Sequence, residues 1–434
     1  MSELADQTCT PAQRRKFQNY IVASECCGSI PGAMLTDSAV ILFFITQLGL
    51  AESFSVMSTS FRFLISGLLT IPCAYFAMHL GCRQAVKISS FSGTIAFLLL
   101  ALSPFAGPCK GICALGCCIL YSIALTIYGP AIWPLIDNTL EKGERFAFIG
   151  RNRFSWMICS SVFILLCGFL TDKNTPLWQL QIAIGLAGVI AFGRFILIGK
   201  VPDVKRAPSH ELSFRKALKT SASNLPLCGF ALYLFFLYLG AYALIPVGYI
   251  YLKRVLNFPA NEVIIISGLA MAGTMTAYLF IGKITKLLPP GRVIPLVHTG
   301  LLAIAAALFF LPSSWQATAY IVGGLLVLTS VFIAISSAVT AGEILALARP
   351  NNKLMAVAFG NTIYQIGMGL GRFMASLLLG CGALCASWEM WGMKLSNCQT
   401  LFLVSTIILL FALPLLLLVP SIIKEHDYYY ENGK

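Results

Sequence analysis

Residues 200–224 read KVPDVKRAPSHELSFRKALKTSASN, the longest polar run between the first and last apolar segments of a 434-residue chain. Lys200, Lys205, Arg206, Arg215, Lys216 and Lys219 stand there against Asp203 and Glu211. Pro202 and Pro208 interrupt helix, Ser209 can cap a new one, and Phe214, Ala217 and Leu218 then fall on one face with basic residues opposite. The run reads as a cytoplasmic hinge whose short amphipathic helix lies on an anionic membrane surface. A disordered basic linker is the rival reading.

The segments on either side are strongly apolar. Hydrophobic residues make up 58% of the chain and charged ones 11%, with a mean hydropathy of +0.83, whereas charged residues form about a quarter of soluble domains. This is the composition of a polytopic all-α membrane protein. A net charge of +13 would suggest a nucleic-acid partner in a soluble chain, so the placement of the charges decides. Residues 1–18 are polar, carry Arg14, Arg15 and Lys16, and show no small-residue cleavage site, so the first span is expected to persist. The 15 cysteines sit mostly in apolar segments, where Cys acts as a small hydrophobe. Cys109, Cys113 and Cys117 share a helix face, but no His lies near them, and neither a metal nor a cofactor is expected. A Cys385 to Cys398 bridge would require an oxidising exterior.

Apolar windows of bilayer-spanning length, roughly 20 residues, fall at 19–48, 53–78, 85–107, 111–136, 154–172 and 177–199. After the hinge they resume at 225–250, 261–282, 292–311, 316–346, 354–381 and 399–421. Two six-helix units, 1–199 and 225–434, are therefore expected around the 200–224 linker. With the N-terminus inside, 22 of the 30 Lys and Arg residues fall on inner segments, five outside and three (Arg62, Arg194, Arg372) within spans. That excess places both termini in the cytoplasm and accounts for the basic balance without nucleic acid.

The halves echo one another. After the fourth span Asp137 leads into NTLEKGERFAFIGRNRFSWM, and after the tenth Glu343 leads into ILALARPNNKLMAVAFGNTIYQIGMGLGR; each is an acid, a basic turn and a new helix. A duplicated six-helix unit is the simplest explanation, and such repeats build transporters with a site at the repeat interface. At this point the layout resembles the major facilitator superfamily over nearly the whole chain. AYFAMHLGCRQAVK looks like a degraded copy of that family's G-x-x-x-D-R-x-G-R-R loop, keeping Gly81 and Arg83 but holding Ala74, Met78 and Cys82 where it has Gly, Asp and the first closing Arg. GKITKLLPPGRV keeps Gly282, Gly291 and Arg292 at altered spacing. The resemblance implies two pseudo-symmetric bundles and alternating access, and it names no substrate.

Ionisable groups inside spans cost at least about 2.5 kcal/mol each and normally face the bundle interior. Asp37 and Arg62 lie at similar depth on adjacent helices, as a switchable pair or as a permanent structural one. Arg372, among the glycines of GMGLGRFMAS, is expected to meet either a substrate anion or Asp37 across the halves. Asn361, Tyr364 and Gln365 precede it and would supply neutral hydrogen bonds. Glu25 and Arg194 lie near inner ends and either snorkel to headgroups or, for Glu25, carry a proton. Asp137 and Glu343 are expected to close an inner gate with loop arginines, Arg83 and Arg145 among them. Tyr128 and Trp133 would stack on a ring or simply pack, and Pro130 and Pro134 are expected to break the fourth helix.

No G-x-x-x-x-G-K-[ST] is present, and the four histidines do not converge on a Ser or Cys, so neither nucleotide hydrolysis nor other enzyme chemistry is indicated. The expected function is secondary active transport of a small polar organic solute with some anionic character, coupled to protons through Glu25 or Asp37. The expected setting is a plasma or inner membrane, as a monomer partnered by lipid. An exporter of amphipathic compounds and a non-transporting membrane sensor are the alternatives.

Overall fold

The computed structural model describes residues 10–140, 145–203, 214–313, 315, 317–348, 353–390 and 392–423. The first half comprises α1 (Pro11–Thr36), α2 (Ala39–Gln47), α3 (Glu52–Leu80), α4 (Cys82–Leu102), α5 (Lys110–Asp137), α6 (Arg145–Leu170) and α7 (Leu177–Ile198). After α8 (Phe214–Ala222) come α9 (Leu225–Ala241), α10 (Leu244–Ile250), α11 (Ala260–Leu287), α12 (Pro290–Phe310), α13 (Thr318–Leu347) and α14 (Lys353–Gly380). A hairpin of β1 (Ser387–Met390) and β2 (Met393–Ser396) leads into α15 (Asn397–Ala412) and the short α16 (Pro420–Ile423).

Among the described residues nine helical stretches are long and apolar enough to cross a membrane, and the pair Ala12–Thr36 and Ala39–Gln47, bent by 57°, makes a tenth. One of the nine, Cys82–Asp137, holds both α4 and α5, parted by a 3-10 turn at Ser103–Cys109 in which Gly107 has φ +58°. With the 28-residue α14, which is long enough but not among those apolar stretches, the described helices are consistent with twelve spans, six on each side of α8. The expected architecture stands.

Within the first six spans α1 packs on α6 and α7, and α4 on α5 and α7; within the last six α9 packs on α14 and α15, and α11 on α13. Among the described residues two helix pairs carry most of the contact between the halves, α3 with α14 and α6 with α11. Glycines make those approaches close. A Cβ on Gly67 or Gly369 would lie 2.6 Å from Ile366 or Leu64 across the first pair, and one on Gly168 would lie 2.6 Å from Ile265 across the second. Gly367 and Gly371 do the same against the α9 backbone, so the glycine run around Arg372 thins the helix on two sides, as read.

Three expectations change, and one open question is answered. The first span is not one helix: Ser38 caps α2 through Val40 N at 3.2 Å and turns the chain. The seventh is likewise divided, at Tyr242 and Ala243, and ends in a π-helical turn, Tyr251–Val255. Conversely Pro130 and Pro134 do not break α5, which runs unbroken through both; Thr126, Gly129 and Trp133 there line a cavity, where a freed carbonyl is tolerated. Cys385 is exposed, Cys398 is buried, and both are free thiols. The hinge helix forms as α8 against α9 and α14; residues 204–213, with Pro208, Ser209 and Glu211, and the side chains of Phe214 and Ala217, lie outside the described residues.

Candidate functional site: a midplane cavity behind a guanidinium latch

The helix breaks create the site. A carbonyl in a helix accepts from the N–H four residues on, and a break leaves it orphaned. Val40 N, the regular partner of Thr36 O, goes instead to Ser38 Oγ. For Tyr242 O the partner position is Pro246, which has no N–H. Arg372, fully buried on α14, fills both vacancies. Its Nη1 donates to Thr36 O at 2.8 Å and to Thr59 O at 3.3 Å, and its Nε donates to Tyr242 O at 3.1 Å. The guanidinium carbon sits 4.9 Å from the Phe63 ring centroid and 5.5 Å from that of Tyr242, distances at which a cation gains from the ring quadrupole. Nη2 has no hydrogen-bond partner among the described residues. Tyr249 adds a second tie, donating to Asp37 O at 3.3 Å.

Asp37 and Arg62 do not form the expected direct ion pair. The Thr36 hydroxyl stands between them: Arg62 Nη1 donates to Oγ1 at 3.4 Å, and the single hydroxyl proton is shared between Asp37 Oδ2 at 2.7 Å and Gly32 O at 2.9 Å. Equal depth was read correctly, but an intervening side chain takes the contact. Nor does Arg372 pair directly with Asp37; it binds the carbonyl of the preceding residue.

Glu25 and Arg194 do not snorkel. Arg194 Nη2 meets Glu25 Oε2 at 3.2 Å, Tyr128 donates to Glu25 Oε1 at 2.6 Å, and the Arg194 guanidinium lies 4.0 Å from the centre of the Tyr128 ring. Arg194 Nε also donates to Ser24 O at 3.3 Å. Gly28 makes this possible, because a Cβ there would lie 1.8 Å from Arg194 Nε. Burial of the pair is costly, and the extra hydrogen bonds to each member are what offset it.

These groups line one cavity of about 540 Å³, a size typical of small-molecule sites. It takes in Glu25, Asp37, Arg62, Tyr128, Trp133, Tyr364, Gln365 and Arg372, and it runs from the depth of Arg372 to Ile136 and Phe148 at the face where α8 lies. Asn361 is half-buried on α14 and does not line it. Sequence reasoning missed Asn152, Arg153 and Trp156, on one turn of α6, and Tyr242, Thr274, Tyr278, Ser330 and Ser337 from the second half. On the opposite face the halves are tied by Ser376 to Ser53 O at 2.6 Å, by Arg254 to Glu52 at 2.7 Å, and by Ala260 N to Lys173 O at 3.1 Å. Of the residues read as an inner gate, Asp137 is exposed and Glu343 buried. Arg83 donates to Gly199 O in its own half, and its backbone N–H donates to Asp203 of the linker at 3.3 Å. The Arg145 side chain lies outside the described residues.

Twelve spans in two bundles, with a polar cavity between them closed toward one face, define a membrane transporter. The Major Facilitator Superfamily matches residues 26–372, and the chain belongs to it. A point mutant of the nucleoside transporter NupG superposes with TM-score 0.74 at 12% identity, covering 94% of this chain and 100% of that one. A bacterial homologue of the human lysosomal transporter Spinster, inward-facing and unoccupied, gives 0.69 at 14% identity over 98% and 99%. A bacterial homologue of the iron transporter ferroportin, outward-facing, gives 0.57 at 15% over 94% and 99%. No curated protein matches. At such identities the likeness is one of fold, and with the family it makes the chain a multi-pass secondary transporter and not an enzyme.

Proposed function

We propose that this transporter moves a small polar organic solute bearing negative charge by alternating access, with the cavity as its substrate site. The carrying observation is the charge left over in that cavity. Glu25 and Arg194 neutralise each other, and Arg372 gives Nε and Nη1 to carbonyls while its Nη2 stays unpaired among the described residues, so Arg62, Arg153 and that one Arg372 nitrogen stand against Asp37 alone. A buried surplus of guanidinium recruits an anion. The apolar, aromatic cavity that would favour an amphipath exporter is not matched by a lining with six ionisable groups.

The units 1–199 and 225–434 are the rocking bodies in this reading, joined by 200–224, in a plasma or inner membrane with both termini cytoplasmic. Asp137, Glu343, Arg83 and Arg145 close the hinge face when the far face opens. Protons couple through Asp37, which shares Thr36 with Arg62, or through Glu25. Uptake into proteoliposomes across a solute panel tests this: anionic solutes should accumulate under an inward proton gradient, Arg62→Gln should cut uptake about tenfold, and Asp37→Asn should abolish gradient-driven accumulation while sparing exchange. Preference for cations, or indifference of anion uptake to Arg62→Gln, would overturn the reading.

A further inference from the structure

The polar groups of the cavity divide into those satisfied within the protein and those left for a ligand. Tyr278 and Ser337 share a hydrogen bond at 2.6 Å, and Thr274 donates to backbone carbonyls. Arg153, by contrast, makes no hydrogen bond among the described residues and lies over the face of Tyr278, 5.4 Å from its centroid. Asn152 is 9% exposed, and its Oδ1 is buried with no partner. Across the cavity Gln365 and the Tyr364 hydroxyl make no hydrogen bond among the described residues. Asn152 Oδ1, buried and unpaired, is an atom that native proteins rarely leave so, and the half-buried Arg153, Tyr364 and Gln365 are open to a ligand beside it.

The unpaired set has a definite chemistry. A side-chain amide presents a donor beside an acceptor, the complement of a ring edge that carries N–H next to C=O. Asn152 and Gln365 offer two such amides from opposite halves. Trp156, one turn beyond Asn152, and Tyr278, with Arg153 over one face, are the aromatic rings beside these amides, and Arg62 and Arg153 are the cations of the lining. The half-buried cations, Arg62 and Arg153, come from the first half, whereas the second half contributes neutral ring, hydroxyl and amide groups and one fully buried cation, Arg372, whose Nε and Nη1 are given to carbonyls and whose Nη2 is unpaired among the described residues. A ligand that bridges the halves must therefore be two-ended.

We infer that the substrate class is a planar heterocyclic anion: a ring whose amide-like edge is read by Asn152 and Gln365, carrying a carboxylate or equivalent group held by Arg62 and Arg153. This rests on the anionic-solute reading above and narrows it.

Three probes on the purified full-length chain in lipid nanodiscs separate the two levels: orotate, uracil (the same ring without the carboxylate) and cyclohexanecarboxylate (the anion without the planar edge). Titration calorimetry should find orotate tightest. Asn152→Ala should weaken orotate about tenfold, the worth of one well-placed hydrogen bond, and leave cyclohexanecarboxylate unchanged; Arg62→Gln should weaken both anions and not uracil. If cyclohexanecarboxylate binds as tightly as orotate, or Asn152→Ala weakens both alike, the ring-edge inference is overturned while the anionic reading stands. If uracil binds as tightly as orotate, the anionic reading falls as well. Failure of all three to bind at about 10 mM overturns the heterocyclic class, and panel uptake still reports on the anion independently.

Discussion

Arg372 Nη1 and the Thr36 carbonyl oxygen, 336 positions apart in the chain, meet at 2.8 Å, and this contact ends a broken helix of one half with a side chain of the other. The same guanidinium ends the matching break in the other half at Tyr242. The two interrupted spans, first of each bundle, are thus pinned by one residue on the far side of the cavity from the hinge face.

Removing that residue should loosen both breaks. Arg372→Ala leaves two buried carbonyls without donors, at about 1–3 kcal/mol each. The expected result is a lower melting temperature and faster amide exchange confined to 37–48 and 243–250. Arg372→Lys keeps the charge but loses the planar fork that reaches several acceptors, and should fall between Ala and wild type. Exchange that rises evenly across all twelve spans would show a general destabilisation instead of a latch.

The Glu25–Arg194 pair makes a different prediction. Either single neutralisation, Glu25→Gln or Arg194→Gln, strands a buried charge at about 3–5 kcal/mol. The double variant should recover much of that loss, because no uncompensated charge remains. A thermal-stability cycle reads the coupling directly, and additive losses would mean that the 3.2 Å contact carries no interaction energy.

Span positions were legible because bilayer thickness and Lys/Arg bias are strong, local signals: 177–199 was read and Leu177–Ile198 is found, 354–381 was read and Lys353–Gly380 is found. The fifth span was read as beginning at 154, but α6 starts at Arg145. A new helix was read through Gly150 and Asn152, yet Arg153 was counted with the inner segment and outside the span, and neither residue was seen as lining the cavity, since hydropathy stops at the first charge while the helix does not. Depth along a helix was legible and azimuth was not. Equal depth correctly matched Glu25 with Arg194's end of the bundle, yet it paired Asp37 with Arg62 without seeing Thr36 between them. The helix breaks had signals of their own, Ser38 as a cap and Pro246 as a missing donor, which a continuous apolar run concealed.

Gly28 should prove intolerant of even a methyl group. A Cβ 1.8 Å from Arg194 Nε would expel the guanidinium from its place over Tyr128 and part it from Glu25. Gly28→Ala is therefore expected to destabilise as much as Arg194→Gln and to be nearly neutral in an Arg194→Gln background. Equal cost in both backgrounds, measured by thermal unfolding, would place the effect in the helix backbone and not in the ion pair.

The break at Tyr242 is the part of the site that a single substitution can close. Pro246→Ala restores the N–H that a regular helix would direct to Tyr242 O, the carbonyl now held by Arg372, and removes a residue that costs about 3 kcal/mol inside a helix. The variant should be at least as stable as wild type, since it gains a backbone bond and loses a helix breaker. If the break is needed for the far face to open, transport should nevertheless drop, because α9 and α10 would move as one rod and Arg372 would compete with an internal donor. Stability and transport moving in opposite directions is the expected signature in paired melting and uptake measurements. A variant that transports at the wild-type rate would show that the division of this span is a packing feature with no part in the cycle.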